Sequence, residues 1–174
     1  MISPQTITAA GEKDIDALAI LVNSAYRGES SKTGWTTEAD LLDGLRTDAG
    51  SLRKLIHEPG SVILKYTTDN HIQGCVYLKQ KEDKLYLGML TVLPELQTKG
   101  IGKQLLAAAE SYAKKNNCSV ITMTVISVRH ELIAWYQRHG YKLTGETEPF
   151  PTDTKFGLPK QDLLFIVMEK ALWH

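Results

Sequence analysis

The stretch from Lys84 to Ile126 limits the possible folds more than any other part of the chain. A strand-like segment, Lys84–Val92, is followed by a punctuated loop. A long helical segment, Gly100–Asn116, comes next, and then a β-branched strand, Ser119–Ile126. In the helix, Ile101, Leu105, Ala108, Ala109, Tyr112 and Ala113 fall on one stripe, and Lys114, Lys115 and Asn116 close its C-terminal end. A strand–helix–strand unit of this length returns as a right-handed crossover, which makes its two strands parallel neighbours.

The rest of the chain supplies partners for that unit. Ser61–Thr67 and Ile72–Gln80 flank a Thr68-Asp69-Asn70 turn, and Glu82-Asp83 turns into the Lys84 strand, so three strands form an antiparallel meander. Strict alternation in the third places Leu85, Leu87 and Met89 opposite Tyr86, Gly88 and Leu90. Upstream, Gln5–Ala10 reads as a strand. Glu12–Tyr26 reads as a helix with Ile15, Leu18, Ala19, Val22 and Ala25 on its apolar face. Arg27–Gly34 is a polar loop. Thr36 and Thr37 are expected to cap a second helix carrying Leu41, Leu42 and Leu45, and Ser51–His57 is a short helical turn. Glu131–His139 is a helix stopped by Gly140, and Tyr141–Glu146 and Leu163–Glu169 are the last strands. The expectation is one α/β domain over residues 1–174: a mixed, mostly antiparallel sheet with one parallel β-α-β crossover, flanked by helices. At 174 residues and 43% hydrophobic, the core needs no disulfide or metal staple.

Charge and cysteine usage exclude several function classes. Twenty Lys and Arg balance twenty Asp and Glu, which argues against a nucleic-acid partner. Cys75 and Cys118 are too few for a disulfide framework, no zinc-ligand spacing occurs, and no metal is expected. The first residues lack the pattern of a signal peptide, and no apolar run reaches the roughly 18 residues of a membrane span. The chain is therefore read as cytoplasmic, with no membrane partner.

The loop Val92–Lys103 carries the chemistry. Gly100 and Gly102 open a helix whose first-turn N–H groups and dipole suit a phosphate, with Lys99 and Lys103 beside them. A P-loop is excluded because Gln104 follows Gly102-Lys103 and no glycine stands five positions earlier. A dinucleotide fingerprint is excluded because Leu105 replaces its third glycine.

What remains is Gln97-x-x-Gly100-x-Gly102, preceded by Val92-x-Pro94, and later Ala134-Trp135-Tyr136-Gln137-Arg138-His139-Gly140-Tyr141. These segments resemble the coenzyme A loop and the late helix-to-strand element of the GNAT acetyltransferases, in the family's order over nearly the whole chain. The resemblance implies a GNAT-like acyltransferase fold and acetyl-CoA as cofactor. It also implies backbone contacts from Leu90 to Val92 with the pantetheine arm. The amides of Thr98, Lys99, Gly100, Ile101, Gly102 and Lys103 would bind the pyrophosphate, Gln97 would be a further cofactor contact, and Tyr136 would stand near the coenzyme sulfur. Arg129 stands seven residues before Tyr136, where the family often has an asparagine that contacts the pantetheine arm, and is a candidate cofactor contact there.

The implied reaction is attack of a primary amine on a thioester within a ternary complex. Tyr136 suits protonation of the leaving thiolate, and backbone N–H at the end of the Lys84–Val92 strand suits polarising the carbonyl. That strand carries no carboxylate, so Glu131 and Glu29 are the candidate bases. Tyr26, Arg27 and Trp35 lie in or beside the early loop and are candidate acceptor contacts. Arg27 or Arg129 suits a carboxylate. Phe150 and Asp153 in the late loop are weaker candidates. The expected acceptor is a small-molecule amine. A protein or peptide N-acetyltransferase and a non-catalytic acyl-CoA-binding regulator stay open as alternatives, as does a homodimer.

Overall fold

The computed structural model describes residues 5–27, 31–32, 34–44, 46–151 and 158–172. In chain order these form β1 (Thr6–Ala9), α1 (Ile15–Tyr26), β2 (Leu42–Asp43), α2 (Ala49–His57), β3 (Ser61–Thr68), β4 (His71–Lys81) and β5 (Lys84–Val92). They continue with α3 (Ile101–Lys115), β6 (Val120–Ile126), α4 (His130–Arg138), β7 (Lys142–Pro149), β8 (Leu158–Pro159) and β9 (Leu164–Ala171). Seven strands make one sheet in the order β1-β3-β4-β5-β6-β9-β7. Every ladder is antiparallel except β5–β6, the pair joined by the α3 crossover.

Helices cover both faces. On one, Leu105, Leu106, Ala109 and Ala113 of α3 and Tyr136 of α4 pack over Val76, Leu85, Leu87, Ile121 and Met123. On the other, Ile15, Leu18 and Val22 of α1 and Leu52 of α2 pack over Ile63, Cys75 and Tyr77. Caps set the helix starts. The Asp14 carboxylate accepts from the Gly11 N–H at 2.9 Å and from Lys65 at 3.0 Å, and the Asp48 carboxylate accepts from the Ser51 N–H at 2.8 Å. α4 ends where Gly140 takes a left-handed φ of 94°.

Two expectations fail, and both failures shape the site. The helix expected after Thr36 and Thr37 does not form. The chain turns at Glu38–Leu42 and then runs extended, pairing Leu42 with Pro159 and Asp43 with Leu158. The Thr37 hydroxyl does cap a turn, accepting from the Ala39 N–H at 3.0 Å. Leu42, however, is drawn into a separate cluster with Ile126 and Leu163, and Gly44 breaks the direction at φ 97°. Leu45 lies outside the described residues.

The second failure is in β5. Met89 has a φ of 52°, and the β4–β5 register slips there. This bulge reverses the alternation. Leu85 and Leu87 face the α3 side, Met89 faces the α1 side, and Leu90 and Val92 return to the α3 side. The Met89 carbonyl accepts from the Thr91 hydroxyl at 2.9 Å. The bulged strand bends away from its parallel neighbour: β5 and β6 pair only from Lys84–Tyr86 to Val120–Thr122.

Candidate active site

The divergence of β5 from β6 opens the sheet from Leu87 onward. Two cavities occupy the gap, of about 440 and 310 Å³. Tyr26, Leu90, Arg129, Leu132 and Tyr136 line both, so the two are neighbours across a shared wall.

The larger cavity is bounded by the glycine loop. Thr98 and Gly100 both take left-handed φ values, 69° and 89°, which swing the chain abruptly into α3. Gly100 is the N-cap of that helix, and the Gln104 N–H donates to its carbonyl at 3.1 Å. The preceding N–H groups have no carbonyl within the helix to pair with and sit at its positive end. Thr98, Gly100, Ile101, Gly102 and Lys103 line the cavity, whereas Lys99 does not. A Cβ on Gly102 would meet the Trp135 ring at 3.3 Å, so any side chain there would crowd this wall.

The end of β5 forms the next wall. The Tyr26 hydroxyl donates to the Leu90 carbonyl at 2.6 Å, and the Gln97 amide donates to the Val92 carbonyl at 3.1 Å. Each carbonyl therefore keeps one lone pair for a further donor. The Gln97 side chain also accepts from the Trp35 N–H at 2.9 Å. This holds the segment around Trp35 and Thr36 against the cavity, where Trp35 lies 6.4 Å from the Trp135 ring.

Tyr136 is 5% exposed, and no hydrogen-bond partner for its hydroxyl is found among the described residues. Burial holds this phenol well above its ordinary value near 10, and Tyr26 adds to the effect while Arg129 opposes it. Burial likewise pushes Tyr26 up to about 12.

A buried charge cluster separates the cavities. Glu38 accepts from Arg27 Nε at 2.8 Å through one oxygen and from Arg129 Nη1 at 3.2 Å through the other. Arg129 Nη2 donates to Thr36 at 2.7 Å, and the Thr36 hydroxyl donates to Glu131 at 2.9 Å. Arg129 Nε is buried with no hydrogen-bond partner and lies 3.9 Å from Glu131. Arg27, Glu38 and Arg129 are 6%, 7% and 5% exposed, so two guanidiniums share one carboxylate away from water.

The structure thus brings Tyr26, Trp35, Leu90, Val92, Gln97, Arg129 and Tyr136 together with the glycine loop, and it puts Arg27 in the second cavity. Glu131 lines neither cavity; it stands at the α4 N-terminus, bonded to Thr36. Glu29 and Asp153 lie outside the described residues. Phe150 lines the second cavity and stacks on Phe165 at 5.1 Å. Sequence reasoning missed Glu38 and Arg46, both on the second cavity. Glu38 was masked by a helix reading of its surroundings, and nothing local marks Arg46. The adjacent apolar pair Met89-Leu90 was the available sign of the bulge. Among the described residues, no cluster of three or more His, Cys, Asp or Glu is placed to hold a metal. Nor is any helix there long and apolar enough to cross a membrane.

A family model described as the acetyltransferase (GNAT) family matches residues 25–141. The fold is shared with the ribosomal-protein-S18-alanine N-acetyltransferase from Escherichia coli. That match has 14% identity and a TM-score of 0.73, covering 98% of this chain and 96% of that one. It is shared with the PaiA N-acetyltransferase of Thermoplasma acidophilum, solved with coenzyme A, at 19% identity and a TM-score of 0.68, covering 97% of this chain and 99% of that one. It is shared again with yncA of Salmonella typhimurium, solved with its cofactor acetyl-CoA, at 19% identity and a TM-score of 0.69, covering 98% of this chain and 95% of that one. With the family match spanning the first cavity's strand end, glycine loop and tyrosine, the chain belongs to the GNAT acetyltransferase family.

Proposed function

We propose that the chain transfers an acetyl group from acetyl-CoA to the primary amine of a small molecule, with both held at once. The supporting observation is the pair of cavities meeting at Tyr136. One ends on the unpaired amides of the α3 N-terminus, which suit a pyrophosphate. The other, at about 310 Å³, has the volume of a small-molecule site.

Acetyl-CoA supplies the thioester, whose C–S bond breaks as the amine nitrogen bonds to the acyl carbon. The residues divide the remaining work. The amides from Thr98 to Lys103 bind the pyrophosphate. The Gly102 surface, lacking a Cβ, keeps that approach open. Leu90 and Val92 offer their remaining carbonyl lone pairs to the pantetheine amides. Tyr136 donates a hydrogen bond to the sulfur as charge develops on it. Burial keeps this phenol protonated, so it stays a donor to the sulfur throughout.

Glu38 is the one carboxylate lining these cavities among the described residues, and both its oxygens are bound by arginines. Among the described residues neither cavity thus offers the amine a free carboxylate, and the amine reacts from its neutral form. Acetyl-CoA turnover assayed by thiol release against an amine library tests this reading. Tyr136→Phe should slow turnover by roughly a hundredfold while leaving coenzyme A affinity within a few-fold. Equal turnover in Tyr136→Phe would remove the tyrosine from the chemistry.

A further inference from the structure

The charged side chains lining the second cavity among the described residues are three arginines, Arg27, Arg46 and Arg129, and one carboxylate, Glu38. Glu38 is fully used, one oxygen on Arg27 and the other on Arg129. Arg46 is different. It is half-buried, its guanidinium carbon lies 5.3 Å above the Tyr26 ring, and no carboxylate pairs with it among the described residues. Its backbone is pinned: the Arg46 and Thr47 N–H groups donate to the Asn23 side chain at 2.7 and 3.0 Å, and that side chain donates back to the Thr47 carbonyl at 2.9 Å. The arginine is thus held on the rim by α1, stacked on the tyrosine that fixes Leu90.

Arg46 also lines a third, more open cavity on the same side, together with Lys54, Tyr86, Gly88 and Met89. Tyr86, Gly88 and Met89 belong to the second cavity too, so the groove runs past the bulge. The carboxylate in the third cavity, Glu58, is bonded to Lys79 and to Tyr77. A guanidinium fixed by its backbone, held over an aromatic ring and with no carboxylate paired to it among the described residues suits a planar anion, which it binds through two parallel N–H donors.

We infer that the acceptor amine carries a carboxylate, and that Arg46 binds it while the amine points along the groove toward Tyr136. Arg27 and Arg129, shared on Glu38, shape the pocket and repel a second cation. The acceptor class is therefore a zwitterionic amine such as a free amino acid, rather than a polyamine. This inference rests on the acetyl transfer proposed above.

The test uses matched pairs: free amino acids and their carboxamides, which keep the amine and remove the negative charge. Aminoalkyl phosphonates form a third arm, to separate a carboxylate from another anion. Steady-state kcat/KM is measured for each with the full chain and acetyl-CoA, and coenzyme A affinity is measured separately by calorimetry. The acids should exceed their amides by about tenfold or more, and the phosphonates should fall between. In Arg46→Met the acid-to-amide ratio should collapse toward one, and Arg46→Lys should retain part of it. A ratio cancels any general loss from misfolding, which affects both members of a pair alike. Amides used as well as acids, or an acid preference that survives Arg46→Met, would overturn the assignment and leave acetyl transfer standing. Phosphonates exceeding both would assign the site to phosphoryl-type anions instead and overturn the carboxylate. Failure of coenzyme A to bind would strike the underlying reading itself.

Discussion

At the residue scale, Tyr136 is where the two cavities meet. Its place in the sequence, four residues before Gly140 in a short amphipathic helix, marks the position but not the hydroxyl's surroundings. Burial keeps the phenol protonated well past neutrality. The sign of the pH dependence follows. Raising pH deprotonates the amine, which gains nucleophilicity, while Tyr136 keeps its proton, so kcat/KM should climb to the amine's own pKa with no descending limb below about pH 10. A bell with a falling limb near pH 8 would contradict this. Arg129 shows where the sequence was less legible. It was read as a substitute in a pantetheine contact or a carboxylate reader. Its guanidinium is bound to Glu38 and Thr36, residues 91 and 93 positions away in sequence. Nothing local signals a pairing at that distance.

At the element scale, the crossover unit and the meander were legible because burial on both faces writes apolar periodicity into β4, β5 and α3. The bulge at Met89 was not. A single residue with positive φ leaves composition unchanged and reverses only the facing, and facing is settled by which core each side chain meets. The segment after Thr37 was misread as a helix for a similar reason. Leu41 and Leu42 have helical spacing with Leu45, but Leu42 finds its partners, Ile126 and Leu163, in distant strands. The glycine turn allows a direct check. Gly100→Ala forces a Cβ into φ 89°, where open space surrounds it but the backbone conformation is costly. It should destabilise the fold by about 1–2 kcal/mol in chemical denaturation and weaken coenzyme A binding with it. A fully stable variant would mean the turn relaxes without loss. At the other end of the sheet, Asp14 joins the start of α1 to Lys65 of β3. Burial pushes its carboxyl up, but the Gly11 N–H and Lys65 pull it further, so the net shift is downward. A lowered folded pKa adds stability above the unfolded value and loses it as pH falls through the folded one. Asp14→Asn should therefore destabilise the protein at pH 7 by about 1–3 kcal/mol. The difference from wild type should shrink below pH 4. A constant difference across that range would assign the loss to packing.

At the scale of the whole molecule, the sheet is held together at its closed end and split at its open end. β5 and β6 share a ladder at Lys84–Tyr86; beyond it Tyr26 of α1 bonds to Leu90, and Arg129, just past β6, joins Arg27 on Glu38. The zero net charge of the sequence hides this. It sums over the whole chain, whereas the second cavity's lining among the described residues holds three arginines and one carboxylate. Glu38→Gln should then cost about 3–5 kcal/mol, because it removes the one negative charge that both Arg27 and Arg129 bond. The melting midpoint should fall by roughly 10 °C for a chain of this size. An unchanged midpoint would mean the arginines re-pair on water. If the split binds acetyl-CoA, thermal unfolding with and without it, with ATP and NAD as controls, will show it. At about a hundred times its dissociation constant, acetyl-CoA should add roughly 2.7 kcal/mol and raise the midpoint, and neither control should match it. No shift with acetyl-CoA, or an equal shift with ATP or NAD, would contradict the account.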